Sequence, residues 1–132
     1  MRAKSLMSFI LIMWTVPALA QTTGTDPDSI PFAAPVHYDA GRLPHHIFCA
    51  NLDGDSYPDI AVADWADANV SVLINNGDGT FQPKQDYPVT CGPYSVFPGD
   101  LDGDSDLDLA LPNFCSNTIS ILKNNGDGTF QA

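Results

Sequence analysis

The 132-residue chain carries 16 acidic and five basic side chains, a formal net charge of -11, and every acid is Asp because Glu is absent. That balance excludes a nucleic-acid binder, which needs a basic face against phosphate, and Asp without Glu points away from long surface helices toward caps, turns and metal loops. A hydrophobic content of 44% suffices for a core, so the chain is bounded at one ordinary domain and is not globally disordered.

At the N-terminus, Arg2 and Lys4 precede an uncharged apolar run from Leu6 to Val16, and Ala18-Leu19-Ala20 offers the small residues a signal peptidase accepts. Residues 1–20 are read as a cleaved signal peptide. An uncleaved anchor is the competing reading, but the run falls short of the roughly 20 residues a bilayer span needs and meets Pro17 near its end. Removing residues 1–20 leaves 112 residues with a net charge of -13, in an exported setting where calcium is plentiful. Residues 21–36, rich in Thr, Asp and Pro without periodicity, form a predicted flexible lead-in.

From residue 37 the sequence repeats itself with an offset of 49. Asn51-Leu-Asp-Gly-Asp-Ser-Tyr-Pro-Asp59 recurs as Asp100-Leu-Asp-Gly-Asp-Ser-Asp-Leu-Asp108, and Asn75-Asn-Gly-Asp-Gly-Thr-Phe-Gln82 recurs at 124–131. Each unit predicts short strands at His46–Phe48, Asp59–Ala63, Asn69–Asn75 and Phe81–Tyr87, with Asn75–Thr80 as a hairpin turn. No helix follows that turn, so it is not read as a phosphate-cradling loop. The fold class is all-β, two four-stranded antiparallel propeller-blade repeats at 37–86 and 87–132. Units of this size stack on copies of themselves to bury their faces. Two blades cannot close a ring and the second lacks most of its fourth strand, so the chain is read as a fragment of a larger β-propeller or as needing self-association.

The acidic segments carry the strongest chemical signal. Counting Asn51 or Asp100 as position 1, oxygen-bearing side chains occupy positions 1, 3, 5 and 9: Asn51, Asp53, Asp55 and Asp59, then Asp100, Asp102, Asp104 and Asp108. Clustered carboxylates repel one another unless a hard cation takes their oxygens. Calcium suits this flexible all-oxygen set, with the backbone carbonyl of Tyr57 or Asp106 at position 7, whereas magnesium would demand a tighter octahedron. The first loop supplies three carboxylates and the second four, so the second is expected to bind more tightly. A helix-loop-helix calcium hand is excluded because position 12 holds Val62 or Leu111 inside an apolar run.

These loops, followed by Asp59-Ile-Ala-Val-Ala63 and by Val70-Ser-Val-Leu-Ile-Asn-Asn-Gly-Asp-Gly-Thr-Phe81 and repeated 49 residues later, resemble the FG-GAP/VCBS repeats of bacterial exported proteins and the calcium-binding blades of integrin α-subunit propellers. The resemblance places each metal loop between the first and second strands of a blade. Two departures stand out: Ser56 and Ser105 occupy position 6, often Gly in the bacterial repeats, and the Phe-Gly and Gly-Ala-Pro signatures are absent, which argues against an integrin-like role.

In an up-down blade, Cys91 in the inter-blade link and Cys115 in the second-to-third strand link share one end, so a disulfide between them is expected, leaving Cys49 unpaired. His45 and His46 are adjacent on a strand and point to opposite faces, which excludes joint ligation. Trp65 and Phe114 hold equivalent places and are expected to pack in the core. Asn69-Val-Ser71 is a glycosylation sequon, relevant only in a host that reads it. The reading is a secreted or cell-surface, non-enzymatic module for recognition or scaffolding, with calcium as a structural cofactor and an unknown protein or glycan as partner. No membrane span remains after signal cleavage. Two alternatives stand beside it: a lectin-like module presenting Tyr38, Trp65, Tyr94 and Phe114 opposite the calcium loops, or the non-catalytic part of a larger extracellular enzyme.

Overall fold

A computed structural model describes residues 34–131, so the signal peptide expected at 1–20 and most of the lead-in lie outside the described residues. Within the unit Val36–Ala132, the chain forms two antiparallel sheets. The first takes β1 (Pro44–Ala50), β2 (Asp59–Asp64), β3 (Asn69–Leu73) and β4 (Gln85–Pro88) in that order. The second takes β5 (Phe97–Gly99), β6 (Asp108–Asn113), β7 (Thr118–Asn124) and β8 (Phe130–Gln131) in the same order. The described residues contain no helix. These are the two meandering, four-stranded sheets of propeller blades.

Strand alternation decides which faces meet. In the first sheet Ala61 pairs with Val72 and Ala63 with Val70, so four small or β-branched side chains share one face. This low-profile face joins one core cluster with the longer Leu109, Leu111, Leu122 and Phe130 of the second sheet. Each of those large side chains, fully buried, contributes about 2 kcal/mol of apolar transfer energy. Polar contacts fix the stacking further. Asn124 Nδ2 donates across the sheets to the Leu52 carbonyl at 2.8 Å, and the Tyr87 and Phe130 rings meet edge to face at 5.3 Å.

The predicted strand Phe81–Tyr87 is broken in the structure. Pro83 has no N–H to donate, so Phe81 keeps only an isolated bridge to Asn75 and β4 begins at Gln85. By the 49-residue offset β8 corresponds to Phe81–Gln82, the opening of a fourth strand. It pairs with β7 only at Lys123 and Asn124.

Candidate metal loops

The loops 51–59 and 100–108 join the first and second strands of their sheets, and their own side chains shape them. Asn51 Oδ1 accepts the Gly54 N–H at 2.8 Å, and Asp100 Oδ1 accepts the Gly103 N–H at 2.7 Å. Asp53 Oδ1 accepts from Asp55 N–H at 3.1 Å, Asp55 Oδ1 from Tyr57 N–H at 2.7 Å, and Asp104 Oδ1 from Asp106 N–H at 2.9 Å. These are side-chain-closed turns that Asp and Asn form readily. Ser56 and Ser105 lie in the left-handed region at φ 83° and 80°, where Gly is the unstrained residue.

Position 9 is a different kind of residue. Asp59 and Asp108 are fully buried, yet each carboxylate has backbone partners for both oxygens. Asp59 Oδ2 accepts from Leu52 N–H at 2.7 Å and Oδ1 from Asn75 N–H at 2.8 Å. Asp108 Oδ2 accepts from Leu101 N–H at 3.0 Å and Oδ1 from Asn124 N–H at 2.9 Å. Each therefore latches the start of its loop to the end of the third strand, a role that sequence spacing did not reveal.

In the second loop Asp100, Asp102 and Asp108 each bring a carboxylate oxygen within 4.8 Å of the others. Asp104 lies outside that trio. The equivalent trio in the first loop is Asn51, Asp53 and Asp59, with a neutral amide replacing one carboxylate. Burial, followed by repulsion from Asp59 and Asp55, lifts the Asp53 carboxyl above its ordinary range despite the N–H it accepts from Asp55. The side chains of Tyr57 and Asp106, chosen only for their carbonyls, cover the hairpin turns. A Cβ at Gly77 would fall 2.7 Å from the Tyr57 ring, and one at Gly126 would fall 2.7 Å from Asp106 Oδ2. An all-oxygen, carboxylate-rich set on a flexible loop fits a hard cation of calcium type.

The sequence reading missed Lys123. Its Nζ sits 3.1 Å from Asp102 Oδ2, and the hydrogen bond between them holds the Asp102 carboxyl below its ordinary range while raising the lysine. The equivalent residue in the first unit is Ile74. The lysine offsets one of the four acidic charges, so charge count no longer favours tighter binding by the second loop. A lone cation in an otherwise apolar alternation, opposite Ile74, was the available signal.

At the other end of the sheets Cys91 and Cys115 are joined, with Cα atoms 5.7 Å apart, and Cys49 is free and exposed. The core packing expected of Trp65 and Phe114 does not occur: Phe114 is 70% exposed and Trp65 36%. Both stand in the turns just beyond β2 and β6. The His45 ring lies 4.8 Å from Tyr94 and 6.3 Å from Trp65, and Tyr94 lies 6.4 Å from Phe114, giving a row of exposed rings. Tyr38, expected in this group, instead packs on Phe81 beside the hairpin turn of the opposite end. His46 turns away from His45, and its Nδ1 accepts the Val96 N–H at 3.3 Å.

Two stacked four-stranded antiparallel sheets, each with an acidic loop between its first and second strands, define a pair of propeller-type repeat blades. Residues 51–111 match the family model described as FG-GAP-like repeat. No curated protein and no solved structure matches the chain. Among the described residues no helix is long and apolar enough to cross a membrane.

Proposed function

We propose that this chain is an exported calcium-binding propeller module that serves recognition or scaffolding without catalysis of its own, with calcium structural in the loops 51–59 and 100–108. The observation carrying this reading is the convergence of Asp100, Asp102 and Asp108 within 4.8 Å in a loop type that the sequence uses twice. Repeats of this family typically occur in extracellular proteins, where millimolar calcium is available. A bound ion would neutralise the trio and couple folding to metal binding, with affinity on the order of 0.1 to 1 mM as in other extracellular modules.

Thermal melting with calcium and with chelator tests the reading. Calcium should raise the midpoint, and Asp102→Ala should remove most of the gain from the second loop. Identical melting curves in the two conditions would sink it. Lys123→Ile, which copies Ile74 of the first unit, should tighten calcium at the second loop by roughly threefold, the scale of an exposed ion pair. Isothermal titration reads that change.

The exposed row formed by Trp65, Tyr94 and Phe114 favours a second reading, in which the module binds glycans by stacking sugar rings on aromatic faces. Trp65→Ala and Phe114→Ala would then abolish glycan-array signals while leaving calcium-dependent melting intact. An array without hits for the unaltered chain removes this reading.

A further inference from the structure

The two buried aspartates that latch their loops are joined to each other by one run of hydrogen bonds. Asp59 Oδ2 accepts the Leu52 N–H at 2.7 Å, the Leu52 carbonyl accepts Asn124 Nδ2 at 2.8 Å, and the Asn124 N–H donates to Asp108 Oδ1 at 2.9 Å. The run starts on the position 9 carboxylate of the first loop and ends on that of the second, crossing between the sheets at a single side chain. None of its four residues is more than 6% exposed. In such a water-poor setting hydrogen bonds in series reinforce one another, and a missing partner is costly.

Asn124 is fixed by two further bonds. Its Nδ2 also donates to the Leu107 carbonyl of the second loop at 3.1 Å, and its Oδ1 accepts the Gly126 N–H at 3.0 Å. The latter bond shapes the hairpin turn that follows β7, and that turn rests on the first loop. At Gly128, where φ is 75°, a Cβ would fall 3.2 Å from Asp53 Cβ and 2.6 Å from Ile74 Cδ1, so Gly leaves room for a close approach. One residue of the second sheet thus binds position 2 of the first loop, supports a turn that presses on position 3, and holds positions 8 and 9 of the second loop.

We propose that Asn124 couples the two metal loops, so that calcium held in one raises the affinity of the other. The inference rests on the calcium reading above and adds to it a positioning residue that itself touches no ion. An ion bound through Asp53 and Asp59 orders the start of the first loop, and with it the Leu52 carbonyl. The ordered carbonyl keeps the Asn124 side chain in place, which keeps its N–H on Asp108, one of the three carboxylates that converge in the second loop. Ordering done by the first ion is then not required of the second, so the sites favour each other without sharing a ligand. Direct repulsion between two bound dications has the opposite sign. Cooperative filling therefore singles out the hydrogen-bonded route.

A calcium titration of the full chain followed by NMR, read separately at the Gly54 and Gly103 N–H groups of the two loops, tests it. In the unaltered chain both amides should follow one steep curve with a Hill coefficient above one. Asp102→Ala, which takes a ligand from the second loop, should weaken calcium at the first by about fivefold, and Asp53→Ala should weaken the second by the same factor, because coupling is reciprocal. In an Asn124→Ala background both cross-effects should vanish while each loop still binds its ion. An Asn124 that only supported the fold would lower both affinities and leave the cross-effects standing, which would overturn the proposal. The reciprocal pair decides alone if Asn124→Ala does not fold: a first loop indifferent to Asp102→Ala, or two unequal cross-effects, overturns the coupling. Independent titration of the two loops in the unaltered chain overturns the coupling and leaves the calcium reading intact, whereas no calcium-dependent shift at either glycine overturns both.

Discussion

The two sheets are built on one repeat, and the positions where they diverge show which parts of the repeat are architecture and which are adjustable. Both keep the buried latch, Asp59 in one and Asp108 in the other, with the same pair of backbone partners. Where the first sheet buries Asp64, the second buries Asn113. Where the second is cross-linked through Cys91 and Cys115, the equivalent residues of the first are Arg42 and Ala66, joined by a 3.2 Å backbone hydrogen bond beside an Arg42–Asp67 ion pair. Closure of the loop onto the third strand is thus required in both, whereas the opposite end tolerates a charge, an amide or a covalent link.

The sharpest way to break the comparison is at the latch. Asp59→Ala or Asp108→Ala leaves two backbone N–H groups without their acceptor, at a cost of about 1 to 3 kcal/mol for each group left buried. Either variant should lose about 3 kcal/mol or more, by chemical denaturation, and should lose it in chelator as well as in calcium. A loss seen only with calcium present would make position 9 a metal ligand first and a latch second.

The disulfide comes next. It closes a loop with a sequence separation of 24, worth about 3 kcal/mol in the chain-entropy account. Cys115→Ser should cost up to that amount. The converse experiment carries the link to the first sheet: Arg42→Cys with Ala66→Cys, in a Cys49→Ser background, should form a bond and raise the denaturation midpoint. Failure of that pair to oxidise would show that the two ends differ in backbone geometry, and not only in side chains.

Much of this was legible beforehand, for physical reasons. The repeat, the strands and the loop positions could be read because strand alternation and turn chemistry are local, and a fixed offset multiplies weak signals. The exposure of Trp65 and Phe114 was not legible, because an aromatic at a strand end is apolar whether or not another sheet reaches over it. The latch was hidden for a related reason: position 9 has the same side chain as a loop ligand, and only the return of β3 and β7 to the loop buries it. Tyr38 was grouped with the wrong aromatics, because nothing in the residues around it tells that its ring packs on Phe81 at the opposite end of the sheets.

Asp64 provides the pH test of the comparison. Burial raises its carboxyl above the ordinary carboxylate range, against the hydrogen bond from Ser71. The Ser71 hydroxyl, with one hydrogen, lies 2.6 Å from Asp64 Oδ2 and 2.7 Å from Asp86 Oδ1, so it cannot donate to both. Asp64 Oδ1 has no partner. In the second sheet Asn113 Nδ2 donates to the equivalent Ser120 hydroxyl at 2.7 Å. A folded pKa above the unfolded one means that ionised Asp64 opposes folding at neutral pH and that the penalty fades as pH falls through the raised value. Asp64→Asn should therefore gain about 1 kcal/mol at pH 7, and the gain should vanish toward pH 4. A gain independent of pH would assign the effect to packing.

The smallest effect concerns what the two units share. Ser56 and Ser105 both adopt positive φ, at 83° and 80°, where an L side chain costs about 1 to 2 kcal/mol, partly offset by the greater freedom that Gly has in the unfolded chain. Ser56→Gly and Ser105→Gly should each stabilise by about 0.5 kcal/mol, and by similar amounts, since neither depends on the neighbouring residues that differ between the sheets. Leu43 at φ 52°, whose equivalent is Gly92 at φ 59°, is the internal control: Leu43→Gly restores the residue the repeat uses elsewhere and should gain a comparable amount. Unequal gains at positions 56 and 105 would mean that the loops, alike in backbone, are strained to different degrees by the carboxylates around them.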